Sequence, residues 1–159
     1  MEEPTNTVTS QSKKVLLVED DDALATTYIT RLEAEGFLVR RVNNGEDALA
    51  AALDYRPDLV LLDVMMPKVS GFEVLDILRN TPDTANLKII VLTALGQEGD
   101  KQRAAQLGAD DYLVKSQVVI SDVIARVKHH LGLDDATTSR DIEPAEPQSD
   151  EPPRRLTDV

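Results

Sequence analysis

Five short runs, most of them wholly apolar, recur along this chain, and stretches with apolar residues at helical spacing separate them. The runs are residues 15–18, 37–42, 59–62, 89–92 and 112–114. Wholly apolar runs of about four residues are typical of strands that are covered on both faces, as in a parallel sheet. Because parallel strands are joined by right-handed helical crossovers, the pattern predicts an α/β fold, a doubly wound five-stranded parallel sheet.

The predicted helices lie between the strands and cover both faces of the sheet. Their apolar positions mark five segments: Leu24 to Leu32, Gly45 to Tyr55, Ser70 to Leu78, Gly99 to Leu107 and Ile120 to Leu131. Periodicity does not define the strand order, but the common order for five such strands is 2-1-3-4-5. The mixed run 37–42 suits an edge strand of that sheet.

Acidic residues and prolines are concentrated near the end of the sequence. Residues 134–159 contain eight acidic and three basic residues and four of the eight prolines, with too little apolar surface to offset the entropy of ordering. This tail and residues 1–12 are predicted to be disordered, which leaves residues 13–133 as the folded unit. The net charge of −12 argues against binding to nucleic acid. No apolar segment has the length of a membrane span, so a cytoplasmic protein is expected.

Polar residues follow four of the predicted strands, at the edge where doubly wound sheets form their sites. They are Glu19 and Asp20 after the first strand, Asp63 after the third, Thr93 after the fourth and Lys115 after the fifth. Three neighbouring carboxylates need protons or a cation, and oxygen ligands without His or Cys favour Mg²⁺ over Zn²⁺. Together with a hydroxyl and an ammonium group, they provide the parts for phosphoryl transfer to Asp63.

Each of these residues also has a structural interpretation when it is considered alone. Acidic residues after a strand often cap a helix, which is the predicted role of Asp21 and Asp22. His129 and His130 are adjacent on a helix and point in different directions, so we predict surface or packing roles for them. The remaining Arg and Lys residues are predicted to lie on solvated faces.

Four motifs stand in fixed order along the predicted folded unit. They are VLLVEDD at 15–21, PDLVLLDVMMPKVSGFEVL at 57–75, IIVLTA at 89–94 and GADDYLVKS at 108–116. In these motifs the sequence resembles the receiver domain of bacterial two-component response regulators. The resemblance implies a flavodoxin-like fold and a signalling protein, which receives phosphate from a sensor histidine kinase or a histidine phosphotransfer protein and contacts an unknown downstream target. Because the acidic, proline-rich tail at 134–159 cannot form an output domain, a stand-alone receiver is expected.

The resemblance also implies roles for the acidic residues. Asp63 matches the residue that is phosphorylated by a phosphohistidine. Asp20 matches a direct ligand of Mg²⁺, Glu19 a ligand acting through water, and the backbone carbonyl of Met65 a third protein ligand beside Asp63. The family is not one of classical enzymes, so at most Mg²⁺-dependent self-phosphorylation and slow self-dephosphorylation are expected.

The remaining assignments concern the switch. Thr93 and Lys115 match the pair that contacts the phosphoryl group, and Tyr112 matches an aromatic residue that turns inward when Thr93 moves. The implied signalling surface consists of the fourth helix, fifth strand and fifth helix. One departure is Ser116, where the family usually has proline. A cis bond before a non-proline residue costs about 3–4 kcal/mol, so the Lys115–Ser116 bond is predicted to be trans, or cis under strain.

Three alternatives follow from the same residues. The first is a receiver-like binding module, which would have the same fold but would bind its partners without being phosphorylated. A phosphatase of the haloacid dehalogenase type would need an acid two residues after Asp63, where this chain has Met65. A flavin mononucleotide site of the flavodoxin type is disfavoured because the loop after the first strand is acidic.

Overall fold

The computed structural model of the protein describes residues 13–133, and its central feature is a five-stranded sheet. The strands are β1 (Lys14–Val18), β2 (Leu38–Val42), β3 (Leu59–Leu62), β4 (Lys88–Thr93) and β5 (Asp111–Val114). Their order is β2-β1-β3-β4-β5, and all four neighbouring pairs are parallel. The predicted sheet and strand order are therefore confirmed, with the mixed strand β2 at one edge. The predicted disordered segments 1–12 and 134–159 lie outside the described residues.

Five helices cover the two faces of the sheet. They are α1 (Asp22–Ala34), α2 (Gly45–Asp54), α3 (Gly71–Arg79), α4 (Glu98–Leu107) and α5 (Ile120–His130), with a short 3₁₀ turn at Lys115–Gln117 before α5. Alternate strand residues point to opposite faces, so Leu16 packs with residues of α2 and α3 while Leu17 packs with residues of α1 and α5. Two apolar layers result, as in a doubly wound sheet. Among residues 13–133, no helix is long and apolar enough to cross a membrane.

Polar residues define where the helices begin. The Asp21 carboxylate accepts a hydrogen bond of 2.9 Å from the backbone N–H of Leu24, so Asp21 caps α1 as predicted. Ser70 and Glu73 form a capping box at the start of α3. These caps fix the first turn of each helix immediately after the loops at the carboxyl edge of the sheet.

Arg79 corrects the prediction that the remaining basic residues are solvated. Its side chain is 17% exposed, and its guanidinium donates to the backbone carbonyls of Gly108, Ala85 and Leu87. It also donates to the Asp110 carboxylate at 2.8 Å. Gly108 has φ 105°, and a Cβ there would lie 2.9 Å from the Arg79 Cγ atom, so glycine is required on both counts. Arg79 thus joins the end of α3 to the loops before β4 and β5, at the amino edge of the sheet.

Candidate functional site

The sheet register places Glu19 and Asp63 side by side. Val18 is paired with Leu62, the last residue of β3, and the backbone N–H of Asp63 continues the ladder by donating to the Val18 carbonyl at 3.1 Å. The Glu19 N–H donates in the same way to the Val42 carbonyl of β2. Glu19 therefore lies one residue beyond β1, and Asp63 one residue beyond β3. Hydrogen bonds to the neighbouring strands fix the backbone of both residues at the carboxyl edge of the sheet.

Lys115 connects the two buried carboxylates. Its Nζ atom lies 2.8 Å from Glu19 Oε1 and 2.9 Å from Asp63 Oδ2. The side chains of Glu19 and Asp63 are 2% and 6% exposed, and that of Lys115 is 18% exposed. The Lys115–Ser116 peptide, the first peptide bond of the 3₁₀ turn, is trans, since the described residues contain no cis bond. A trans bond is thus compatible with placing the ammonium group between the two acids.

Burial and charge act in opposite directions on the pKa values of Glu19 and Lys115. Burial raises the pKa of Glu19, and the hydrogen bond from Lys115 offsets only part of that effect. Burial alone would lower the pKa of Lys115, but its hydrogen bonds to Glu19 and Asp63 outweigh burial and raise it. The ammonium group is therefore held charged, while the Glu19 carboxylate remains less stable in its ionised form than it would be in water.

Asp20 completes an acidic cluster that is open to solvent on one side. Glu19, Asp20 and Asp63 each offer a carboxylate oxygen, and these three atoms lie within 4.8 Å of one another. Asp20 itself is exposed. Within residues 13–133, no other three acidic, His or Cys side chains approach in this way. Because the donors are all oxygens and one ammonium offsets three carboxylates, the chemistry of the cluster suits a hard divalent cation.

Asp63 is held from two sides. Its Oδ2 atom accepts from Lys115, and its Oδ1 atom accepts a hydrogen bond of 2.9 Å from the backbone N–H of Met65. Met65 itself is half exposed, while Asp63 is buried. The two hydrogen bonds thus fix the orientation of the Asp63 carboxylate beside Glu19 and Asp20.

Thr93 lies at the same edge of the sheet, while Tyr112 lies two residues further inside, on β5, and both contact the loop residue Leu95. Thr93 is the last residue of β4 and is fully buried, and its Oγ1 atom accepts a long hydrogen bond of 3.4 Å from the Leu95 N–H. The Tyr112 hydroxyl donates to the Leu95 carbonyl at 2.8 Å. Within the described residues, no hydrogen bond joins Thr93 to the Lys115–Asp63 pair. The structure therefore links Thr93 to Tyr112 through the loop between β4 and α4.

Arg41 is a residue at this edge that the sequence interpretation missed. The prediction that the remaining basic residues lie on solvated faces is wrong for its guanidinium. The guanidinium donates two hydrogen bonds to the backbone carbonyl of Glu19, at 2.9 and 2.7 Å, and forms an ion pair of 2.9 Å with Asp22. A side chain on one strand that binds a backbone carbonyl in the loop after the neighbouring strand leaves no local pattern in the sequence.

His130 also differs from a freely solvated residue. Its Nε2 atom lies 2.9 Å from Asp111 Oδ2, which also accepts from Arg126 at 2.6 Å. Burial alone would raise the pKa of Asp111, but the hydrogen bonds from Arg126 and His130 outweigh it and lower the pKa. The three side chains join β5 to α5, in agreement with a packing role for His130.

Comparison with known proteins defines the family. A family model described as "Response regulator receiver domain" matches residues 15–128. The chain belongs to this family. Receiver domains are signalling modules of two-component systems, and domains of this family interact with sensor histidine kinases and downstream targets.

Curated relatives of this receiver domain fall into two size classes. The phosphate regulon transcriptional regulatory protein PhoB of Rhizobium meliloti is 44% identical over 115 residues, which are 72% of this chain and 50% of PhoB. The polar-differentiation response regulator DivK of Brucella anthropi is 34% identical over 120 residues, which are 76% of this chain and 97% of DivK. The chain thus spans about half the length of relatives such as PhoB and nearly all of DivK.

Solved receiver domains share the fold. A putative response regulator from Chloroflexus aurantiacus superposes with a TM-score of 0.71 at 34% identity, covering 76% of this chain and 98% of that one. The receiver domain of the sensor histidine kinase PA1611 from Pseudomonas aeruginosa superposes with a TM-score of 0.70 at 28% identity, covering 75% and 98%. The latter structure has a magnesium ion coordinated in its active-site cleft.

Proposed function

We propose that Asp63 of this receiver domain accepts a phosphoryl group from a phosphohistidine on a sensor histidine kinase or a histidine phosphotransfer protein, in a reaction that depends on Mg²⁺. The observation that carries the proposal is the position of Lys115 Nζ, 2.8 Å from Glu19 and 2.9 Å from Asp63, beside the three-carboxylate cluster. A buried, oriented carboxylate with a cation beside it is suited to attack a phosphorus atom.

The acidic residues supply the ligands and the acceptor. Glu19, Asp20, Asp63 and the backbone carbonyl of Met65 would hold the metal ion. When bound, Mg²⁺ supplies positive charge to the phosphoryl oxygens. An Asp63 carboxylate oxygen forms the new bond to phosphorus as the bond from phosphorus to the histidine nitrogen breaks, and the imidazole leaves with the bonding electrons.

Lys115 and Thr93 act on the phosphoryl group after transfer. The Lys115 ammonium exchanges part of its interaction with the Asp63 carboxylate for a phosphoryl oxygen, which it can reach as a point charge. The buried Thr93 hydroxyl, now in a weak contact with Leu95, gains a stronger acceptor. Its movement releases the loop that Tyr112 holds through the Leu95 carbonyl, and the surface of α4, β5 and α5 changes for protein recognition.

Phosphorylation of the purified chain tests the acceptor. Acetyl phosphate with Mg²⁺ is expected to add one phosphoryl group to the wild-type protein by intact mass, and Asp63→Asn abolishes the addition. The matched control is Asp83→Asn, an exposed acid on the loop before β4 at the opposite edge of the sheet, which keeps full phosphorylation. No adduct on the wild-type protein with acetyl phosphate or any candidate kinase, or an adduct on Asp63→Asn, would refute the proposal.

The switch is tested separately with beryllofluoride, which mimics a phosphoryl group on an aspartate. Amide NMR spectra of the wild-type protein are expected to change in residues 94–120 when beryllofluoride and Mg²⁺ are added together. An unchanged spectrum in this range, with the acceptor intact, would favour a binding module that works without phosphorylation.

A further inference from the structure

Arg41 on β2 contacts both ends of the acidic loop that follows β1, residues 19–22. Two of its nitrogens donate to the backbone carbonyl of Glu19, and one of them also pairs with the carboxylate of Asp22. Between these two anchored residues stand Asp20 and Asp21. The Arg41 side chain is 22% exposed, so most of its surface is withdrawn from solvent. The loop that carries Asp20 is therefore tied to β2 on both sides of that residue.

We propose that Arg41 is a positioning residue for the metal site, which fixes the loop from Glu19 to Asp22 so that the Asp20 carboxylate stays beside Glu19 and Asp63. This inference rests on the proposed Mg²⁺-dependent function and adds a determinant of Mg²⁺ affinity to it. Arg41 does not touch the metal or the phosphoryl group. It acts through the backbone that presents their ligands.

Charge compensation does not explain the contacts of Arg41. The Asp22 side chain of the ion pair is 88% exposed, and ion pairs this open to solvent contribute little to stability. The two short hydrogen bonds instead go to a carbonyl, which carries no net charge. A planar guanidinium can make both at once, while an ammonium group cannot reproduce that fork. The geometry is that of a clamp on the loop backbone.

Positioning and charge predict opposite results for Mg²⁺ binding. A positive charge beside a cation site weakens metal binding, so loss of that charge alone would tighten it. A group that orients metal ligands strengthens binding, and its loss costs about tenfold or more in affinity. Four consecutive acids, Glu19 to Asp22, repel one another, so the loop without its clamp would spread. The sign of the change upon substitution of Arg41 therefore distinguishes the two roles.

Two substitutions at Arg41 separate charge from geometry. Arg41→Lys keeps the charge and loses the fork, and Arg41→Gln loses both. Mg²⁺ is titrated into each protein without phosphodonor, and its affinity is read from the amide NMR shifts of residues 19–22. Both variants are expected to bind Mg²⁺ about tenfold more weakly than the wild type. Unchanged affinity in Arg41→Lys, or tighter binding in Arg41→Gln, would refute the positioning role.

A neighbouring arginine provides the matched control. Arg40 lies on the same strand, points to the opposite face, and pairs with Asp54 at 3.3 Å. Arg40→Gln removes the same charge from β2 without releasing the acidic loop, and Mg²⁺ affinity is expected to stay at the wild-type value. A loss equal to that of Arg41→Gln would show that the stability of the strand, and not the clamp on the loop, sets the affinity, and would refute the positioning role.

The dependence of phosphorylation on Mg²⁺ gives a second readout that a general loss of folding would not produce. Arg41→Lys is expected to raise the half-saturating Mg²⁺ concentration for reaction with acetyl phosphate, while saturating Mg²⁺ restores the wild-type extent. If the extent of phosphorylation of Arg41→Lys stayed below that of the wild type at saturating Mg²⁺, Arg41 would act in a step other than the positioning of the metal ligands. A wild-type protein that ignores Mg²⁺ would overturn the proposed function itself, whereas Mg²⁺ binding that is insensitive to Arg41 would overturn this inference alone.

Discussion

Lys115 and Glu19 are 96 positions apart in the sequence, yet the Lys115 ammonium lies 2.8 Å from the Glu19 carboxylate. The contact joins the end of β5 to the end of β1 across the two strands between them. Because Asp63 shares the same ammonium group at 2.9 Å, one cation serves two buried acids. The arrangement leaves negative charge in excess, which favours a metal cation and makes the stability of the fold depend on pH.

The first prediction concerns Glu19 and pH. Burial raises the pKa of Glu19 above its ordinary value of 4.5, so the folded state holds this proton more tightly than the unfolded chain. The resulting stabilisation is complete below pH 4.5 and is lost as the pH rises through the folded pKa. Relative to Glu19→Gln, the wild-type free energy of unfolding should therefore fall as the pH rises above 4.5 without Mg²⁺. Urea denaturation over a pH series measures it, and a flat difference would contradict the prediction.

The second prediction concerns the removal of the shared cation. Lys115→Met leaves Glu19 and Asp63 buried without compensation, and the free energy of unfolding at pH 7 should fall by about 1–3 kcal/mol. Mg²⁺ should stabilise this variant more than the wild type, because Lys115 no longer competes for the same oxygens. Denaturation with and without Mg²⁺ measures both effects.

A surface lysine serves as the control for that measurement. Lys128 lies 2.6 Å from Glu35, and both side chains are about one third exposed. Lys128→Met should cost less than about 1 kcal/mol and should not alter the response to Mg²⁺. Equal losses in the two variants would mean that Lys115 is an ordinary surface partner.

The strand pattern predicted a parallel sheet and the edge on which the candidate site lies, while the strand order came from the order that is common for five such strands. Wholly apolar runs such as Leu59 to Leu62 identify strands covered on both faces, and parallel strands carry their next residues to one edge. Glu19, Asp20, Asp63 and Lys115 were therefore expected to come close together, as they do. Their roles toward metal and phosphate stay predictions, because proximity alone does not show a ligand.

Arg41 and Arg79 could not be predicted in the same way. Both donate to backbone carbonyls, which every residue possesses, so no side-chain pattern marks the partner. Because side chains alternate along β2, Arg40 and Arg41 must point to opposite faces of the sheet. The sequence does not show which of them points to the face covered by α1 and α5. The register with β1, which pairs Leu17 with Arg41, decides the direction. Long-range contacts of this kind depend on the assembled sheet.

The third prediction concerns stability at the opposite edge. Arg79→Leu removes hydrogen bonds to three carbonyls and to Asp110, and should lower the free energy of unfolding by about 2–4 kcal/mol. Arg126→Leu, at an arginine that is 46% exposed, should cost far less. Because Arg79 is remote from the acidic cluster, Mg²⁺ affinity should not change in Arg79→Leu. Denaturation and Mg²⁺ titration test the two statements, and weakened Mg²⁺ binding would contradict the separation of the edges.

The last prediction concerns the bond between Tyr112 and the loop after β4. Tyr112→Phe keeps the ring in its half-buried position and removes the 2.8 Å hydrogen bond to the Leu95 carbonyl. The loss should cost about 0.5–1.5 kcal/mol and free the start of α4, where Gln97 provides no side-chain cap. Amide hydrogen exchange should therefore accelerate in residues 95–100.

Tyr55→Phe is the matched substitution for that experiment. Tyr55 is also partly buried, and its ring lies against the Arg40 guanidinium at 4.5 Å, far along the chain from the loop. Amide hydrogen exchange in residues 95–100 of Tyr55→Phe should equal that of the wild type. If Tyr112→Phe left these amides as protected as before, the hydroxyl would not restrain the loop. The switch would then have to act through Thr93 without the Tyr112 bond, because Leu95 is the residue that both side chains share.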